Sequence, residues 1–202
     1  MTSPAREVTR TRATKETTIV VSLGVDGTGQ VEVSTGLPFF DHMVSQLGKH
    51  AGFDLTVRAT GDLDVDAHHT VEDVGIVLGE ALKEALGDKA GVRRFASIAV
   101  PLDEALIDVA LDLSGRPFLL YQVAPGAGGE ARPLGQPPFD PQLAEEFWRA
   151  LVTAAAVTLH VRMISGRNTH HILEASFKGV ARALRDAVRV EGINVPSTKG
   201  VL

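Results

Sequence analysis

Cysteine is absent from the 202 residues, which excludes disulfides, thiolate metal sites and thiol nucleophiles and fits a reducing cytoplasm. Excess positive charge is also missing. The formal charge of −5 makes no electrostatic case for a nucleic-acid partner. No apolar run approaches the roughly 18 residues that a membrane span needs, and the N-terminus lacks the apolar core of a secretory signal. What remains, 44% hydrophobic and 22% charged residues, is the composition of an ordinary soluble globular chain, long enough for one large domain or two small ones.

Histidine carries the information instead. The segment His68, His69, Thr70, Val71, Glu72, Asp73 is echoed at His170, His171, Ile172, Leu173, Glu174, Ala175. The second copy follows the first by 102 residues, close to half the chain, so the sequence reads as an internal duplication. On a helix, residues four apart share a face, so His68 and Glu72 can grip one metal ion and His170 and Glu174 another. His69 and His171 sit about 100° round from their neighbours and should each reach a second ion. The economical arrangement is reciprocal: His69 completes the site of His170 and Glu174, and His171 that of His68 and Glu72, within a molecule or across a subunit interface. A single histidine pair at a helix start is more often a cap or a surface feature. Two copies with a carboxylate at the same offset favour ligation. Imidazole with carboxylate and no thiolate suits Mn, Fe, Co, Ni or Zn rather than Ca or Mg.

Along the chain, residues 1–14, with Arg6, Arg10 and Arg12, read as a flexible arm. Thr17 to Val25 reads as a strand, Asp26 to Gly29 as a hairpin turn and Gln30 to Ser34 as the returning strand. Phe39 to His50 looks helical, Phe53 to Thr60 extended, and the helix opened by His68 runs to Gly87. The second half repeats this: Glu104 to Leu113, a turn at Ser114 to Pro117, Phe118 to Val123, a Gly- and Pro-rich loop over Pro125 to Pro141, a helix over Gln142 to Ala156, a strand over Val157 to Ile164 and a helix over His170 to Val190. Residues 88–103 link the halves, with Ile98 to Leu102 as an extra strand. Residues 15–92 and 93–192 are therefore each read as ββαβα, and 193–202 as a polar tail. The pattern predicts an α+β fold, two duplicated halves packed together with helices on one face of each sheet. The nearly continuous apolar run Ile19 to Val25 suggests a strand buried on both sides.

Further polar residues are candidates for a site. His42 follows two phenylalanines at a helix start and is the best extra nitrogen ligand. His50, two turns on, either faces the same pocket or stabilises the helix C-terminus. His160 lies within a strand and reads as structural. Arg94, Arg116, Lys178 and Lys199, with Ser197 and Thr198 beside the last, can hold a phosphate through charge-assisted hydrogen bonds, and Lys178 shares the helix face of His170 and Glu174. Glu16 aligns with Glu104, a mark of the duplication.

The motifs FFDHM (39–43), HHTVED (68–73), SGRP (114–117), GRNTHHILEASFKGVARAL (166–184) and PSTKG (196–200) together resemble the imidazoleglycerol-phosphate dehydratases of histidine biosynthesis, from about Lys15 to Leu202. The resemblance implies a ribosomal protein S5 domain 2-like fold and a hydro-lyase with two Mn²⁺ per active site. One ion would be held by His42, His69, His170 and Glu174. The other would be held by His68, Glu72, His171 and one further histidine, at whose position this sequence has Glu146 before Phe147. Arg94, Arg116, Lys178, Ser197 and Lys199 would bind the phosphate, with Thr198 beside them. Glu16, Gln46 and His50 would line the pocket, where His42, His68, Glu72 and His170 also face the substrate. The resemblance further implies a homo-oligomer of 24 subunits with active sites between them, so that the ligand exchange crosses chains.

The implied reaction converts imidazole-glycerol phosphate into imidazole-acetol phosphate. It removes a proton from a carbon without a neighbouring carbonyl, so the imidazole has to supply the activation. Metal coordination lowers the ring pKa, the imidazolate expels the adjacent hydroxyl to give a diazafulvene-like intermediate, and a base takes the next proton. Glu16 is the candidate base, and His50, Glu72 and Glu174 complete the candidate catalytic set. Two rival readings suit the same motifs: a dinuclear hydrolase of a phosphorylated small molecule, which would release phosphate, and a non-catalytic shell whose metals only join subunits.

Overall fold

The computed structural model describes residues 6–125 and 131–202. The elements run β1 (Glu7–Ala13), β2 (Thr17–Gly24), β3 (Val31–Ser34), α1 (Pro38–Ala51), β4 (Asp54–Gly61), α2 (His68–Leu86), β5 (Phe95–Leu102), β6 (Ala105–Asp112), β7 (Phe118–Gln122), α3 (Leu143–Ala155), β8 (Thr158–Ser165) and α4 (Thr169–Ala187). Two four-stranded sheets result, ordered β1-β2-β4-β3 and β5-β6-β8-β7. The duplication is plain, and the fold is α+β.

Each repeat is βββαβα rather than ββαβα, because each half gains a leading strand. The first of these, β1, falls in the stretch expected to be a flexible arm. Its sequence, EVTRTRA, carries little apolar signal because it is an edge strand whose inward side is mostly basic. Val8 packs against the core, while Arg10 reaches Glu84 at 2.5 Å and Arg12 reaches Asp73 at 3.1 Å, both on α2. Residues 1–5 of the expected arm lie outside the described residues. In the second half β5 extends over the whole of Phe95–Leu102, where only Ile98 to Leu102 was expected.

The expected hairpins do not form. β2 pairs antiparallel with β1 and β4, and β3 pairs parallel to β4 on its far side; β6, β8 and β7 repeat this arrangement. In the first half the cause is Asp54 at the start of β4. Its Oδ1 accepts the N–H groups of Thr28 and Gln30 at 2.8 and 2.9 Å, and Leu55 N–H donates to the Gln30 carbonyl at 2.8 Å. These bonds carry the Asp26 to Gly29 turn across the end of β4 instead of back along β2.

Nor is β2 buried on both faces. Thr17, Ile19, Val21 and Leu23 are buried while Thr18, Val20 and Ser22 are not, so a strand apolar at nearly every position has one wet face. The buried faces are covered by α1 and α2 on the first sheet and by α3 and α4 on the second. The halves meet through these helices, α2 against α3 and α1 against α4. Helix starts are capped by side chains just before each histidine pair. Asp66 accepts the His68 N–H at 2.7 Å, and Asn168 accepts those of His170 and His171 at 2.9 and 3.3 Å. α4 ends at Ala187, short of the expected Val190, which instead bridges to Val92. No helix of the described residues is long and apolar enough to cross a membrane.

Candidate active site

The α1–α4 contact brings three of the expected ligands together. His42, on the first turns of α1, and His170 and Glu174, one turn apart on α4, offer ligand atoms all within 4.8 Å of one another. His170 Nε2 lies 2.9 Å and His42 Nε2 3.4 Å from Glu174 Oε2. Two donors bound to one ion at about 2.1 Å lie roughly 3.0–3.5 Å apart, so the donor set fits a first-row divalent ion. Burial opposes ionisation of Glu174, but hydrogen bonds from Lys178 and His170, the Lys178 charge and a bond from His42 hold its carboxyl at about 2. It is a carboxylate ready to ligate.

A polar row continues from this cluster along α1. The Gln46 side chain sits 3.4 Å from His42 Nδ1 and 3.1 Å from His50 Nε2. Burial, with Lys178 and Arg182 nearby, lowers the His50 pKa and keeps its imidazole neutral. Lys178 Nζ binds Glu174 Oε1 at 2.7 Å. Lys178 is thereby drawn to the ligand cluster, and within the chain it does not line the depression formed by Arg94, Arg116 and the C-terminal tail.

The first repeat is arranged differently. His68 and Glu146 line one depression with Leu37, Leu63 and Pro138. Glu146 is the structural counterpart of His42: each precedes the left-handed residue that ends its helix, Ala156 or Gly52, by ten positions. Glu72 lies one turn beyond His68 on α2, half-buried. The motif's last acid, Asp73, is structural, since it is buried and accepts from Thr17 and Arg12.

His69 and His171 do not reach the opposite clusters within the chain. His69 Nδ1 bonds Asp62 Oδ2 at 3.0 Å, with a Glu16 oxygen 3.9 Å away. His171 Nδ1 bonds Glu104 Oε2 at 2.8 Å. Those hydrogen bonds raise both imidazole pKa values. Glu104, bonded by His171 and by the N–H groups of Asn168 and Arg167, is held at about 2. Sequence reasoning missed Asp62 entirely and read Glu104 only as an echo of Glu16.

The second basic group converges at the C-terminal tail. Arg94, Arg116, Ser197, Thr198 and Lys199 line a depression of 600 Å³. Arg94 is largely committed there: Nε and Nη2 grip Asp112 at 2.7 and 3.1 Å, and Nη1 donates to the Pro196 carbonyl at 2.7 Å. Arg116 makes one side-chain bond, to the Ser114 carbonyl at 3.3 Å. His160 is away from both groups, on the open face of β8, its ring 5.6 Å from Phe118.

A family model described as imidazoleglycerol-phosphate dehydratase matches residues 35–184. Among curated relatives, the imidazoleglycerol-phosphate dehydratase of Acidothermus cellulolyticus is 56% identical over 198 residues, covering 98% of this chain and 93% of that one. That of a Parafrankia species is 54% identical over 98% of this chain and 100% of its own. Of solved structures, the Staphylococcus aureus enzyme superposes with a TM-score of 0.80 at 35% identity, over 91% of this chain and 99% of that chain. The Pyrococcus furiosus enzyme, solved in complex with (S)-C348, gives 0.80 at 38% identity, over 96% and 100%.

Proposed function

The chain belongs to the imidazoleglycerol-phosphate dehydratase family, and from that membership we propose an active site built from two metal ions and shared between copies of the chain. The activity itself is the family's: a hydro-lyase reaction, EC 4.2.1.19, at the dehydration step of histidine biosynthesis, on a phosphorylated small molecule. Neither a phosphate-releasing hydrolase nor a metal-built shell is needed to account for the motifs.

The observation that carries the metal reading is the convergence of His42, His170 and Glu174 within 4.8 Å. Imidazole and carboxylate donors without thiolate suit Mn²⁺. One ion would be held by these three residues with His69, and the other by His68, Glu72 and His171 with Glu146. Because His69 and His171 bond Asp62 and Glu104 instead of the clusters in their own chain, a second copy would supply them, in an assembly for which 24 subunits is the proposed number. The absence of cysteine and the biosynthetic role support a cytoplasmic setting.

A bound metal would supply Lewis acidity to the substrate imidazole. The chain's own residues do the rest. Arg116, Ser197 and Lys199 anchor the phosphate through charge-assisted hydrogen bonds, on a tail that Arg94 holds through the Pro196 carbonyl. Glu16, half-exposed beside His69, takes the proton from the carbon next to the one that loses its hydroxyl. Gln46 and His50 give that pocket a neutral, hydrogen-bonding wall.

The test is turnover by metal-stripped protein with Mn²⁺ added back, following the ketone and the bound metal. Ketone is expected only with manganese, at about two ions per chain. Full turnover by metal-free protein would overturn the metal reading. Glu16→Gln should bind both ions and lose turnover; retained turnover removes Glu16 as the base.

A further inference from the structure

We propose that Asp62 and Glu104 are positioning residues that fix the ring tautomers of His69 and His171, and that Asp62 thereby releases Glu16 for proton transfer. The inference rests on the two-metal reading above and concerns the carboxylates behind the ligands.

The starting point is a broken symmetry. Glu16 lies in the β1–β2 turn and Glu104 in the β5–β6 turn, so the duplication makes them counterparts, as it does His69 and His171. Glu104 is fully committed. Its Oε2 is 2.8 Å from His171 Nδ1, and its Oε1 accepts the backbone N–H groups of Arg167 and Asn168 at 3.1 and 2.7 Å. Glu16 stands 3.9 Å from His69 Nδ1, beyond hydrogen-bond reach. The partner His69 has instead is Asp62, at 3.0 Å, from the end of β4.

The sequence explains the substitution. The stretch before the first histidine pair, Gly61 to Ala67, contains Asp62, Asp64 and Asp66, whereas that before the second, Ser165 to Thr169, has no acid. In the second repeat the turn glutamate holds the histidine at Nδ1, with Asp103 of the same turn 3.8 Å from Nε2, beyond hydrogen-bond reach. In the first, Asp62 does so, and the turn glutamate is left without that task.

The chemistry of the pair follows from imidazole having one donor nitrogen and one acceptor when neutral. A carboxylate facing Nδ1 requires Nδ1–H, which leaves the Nε2 lone pair to face outward as a ligand. An amide removes the charge that makes the histidine a stronger ligand, and at Glu104, whose other oxygen is held by the Arg167 and Asn168 N–H groups, it would also turn its nitrogen to Nδ1 and demand the opposite tautomer.

Asp62→Asn and Glu104→Gln test this while preserving shape; Glu104→Gln keeps an oxygen for the Arg167 and Asn168 N–H groups. Mn²⁺ affinity and stoichiometry would be measured on the full-length protein by the loss of the free-ion paramagnetic resonance signal, beside kcat and KM. Each variant should weaken one ion per chain about 10- to 100-fold and leave the other. The double variant should weaken both, and Asp62→Glu should restore part of the loss. Glu16→Gln should leave both affinities unchanged while kcat falls. Far-UV circular dichroism in chelator identifies any variant that fails to fold, and Asp62→Glu then serves as the folded comparison. Wild-type affinity for both ions in folded Asp62→Asn and Glu104→Gln overturns the positioning roles alone. A wild-type protein that binds no manganese overturns them together with the two-metal reading.

Discussion

Gly79→Ala sets two known magnitudes against each other, and the structure decides the sign. Gly79 lies in the middle of α2, where replacing glycine by alanine ordinarily gains about 1 kcal/mol of helix stability. Here α2 crosses α3 so closely that a Cβ would lie 2.5 Å from the Leu151 carbonyl oxygen, 2.7 Å from the Ala154 Cβ and 3.0 Å from the Ala155 nitrogen. The nearest of these is backbone and cannot rotate aside. Relief requires the two helices to separate, and overpacking of that kind costs about 1–3 kcal/mol. With a carbonyl oxygen as the obstacle the upper end applies. The net expectation is a loss of about 2 kcal/mol, or roughly 4–8 °C in Tm for a chain of this size. Urea unfolding followed by far-UV circular dichroism measures it, with an unchanged m-value expected. The helices carry His68 and Glu72 on one side and Glu146 on the other, so Mn²⁺ binding there should weaken while the cluster of His42, His170 and Glu174 keeps its ion. A Gly79→Ala protein that is more stable than the parent by about 1 kcal/mol would refute the close-packing argument.

Four other perturbations separate roles that the sequence alone left merged. Arg94→Met breaks a bidentate, mostly buried pair with Asp112 and frees the tail at Pro196, so it should cost about 3 kcal/mol of stability and raise KM. Arg116→Met should raise KM with stability nearly unchanged, and equal melting losses in the two would refute the division. Asp54 tests the strand crossing through pH. Backbone hydrogen bonds from Gln30 and Thr28 lower its pKa, and a carboxyl depressed on folding contributes stability above its unfolded value of about 3.9 that is lost as pH falls through the folded value. The gap in urea midpoint between the parent and Asp54→Ala should therefore be full at pH 6 and shrink below about pH 4; a gap independent of pH would remove the charge from the explanation. Glu146→His replaces a carboxylate by an imidazole in the His68 site and should shift that site's preference from Mn²⁺ toward Co²⁺ and Zn²⁺, read by competition between the ions at fixed total metal.

The histidine pairs, the duplication and the helices were legible because each rests on local spacing. Period, a carboxylate four residues on and a repeat offset need no knowledge of the fold. What escaped depended on distant contacts. β1 was invisible because its inward side is mostly arginines whose partners, Glu84 and Asp73, are 74 and 61 residues away. In the first half the hairpin expectation failed because Asp54, on a later strand, takes the N–H groups of the turn. Lys178 and Arg94 were grouped as phosphate candidates by charge, and packing adds what charge does not show, an ion pair of the first with Glu174 and of the second with Asp112. Asp62 carried no visible signal, since it lies in a run of three alternating acids of which only this one meets a histidine side chain within hydrogen-bond reach.

The same close crossing of α2 and α3 also accounts for the unlike surroundings of the two proposed ion sites. By the offset that matches His42 with Glu146, Gln46 corresponds to Ala150 and His50 to Ala154. Those two alanines are among the groups that a Cβ on Gly75 or Gly79 would strike, at 2.9 and 2.7 Å, beside the closer Phe147 and Leu151 carbonyl oxygens. In α4 the positions matching these glycines hold Phe177 and Ala181, so α4 carries bulk where α2 has none, and the Phe177 ring packs on Phe147 and Trp148 of α3. Where α2 and α3 lie close, only small residues fit, so alanines follow Glu146 one and two turns on along α3, and the depression at Glu146 is lined by Leu37, Leu63 and Pro138 together with Asp66, His68, Asp140 and Gln142. In the other pair, α1 has room for Gln46 and His50, and α4 for Lys178. Packing thus gives the two clusters different neighbours from one repeated plan. The hydrogen-bonding wall therefore stands only at the His42 cluster, the one place in the described chain where three ligand groups already converge.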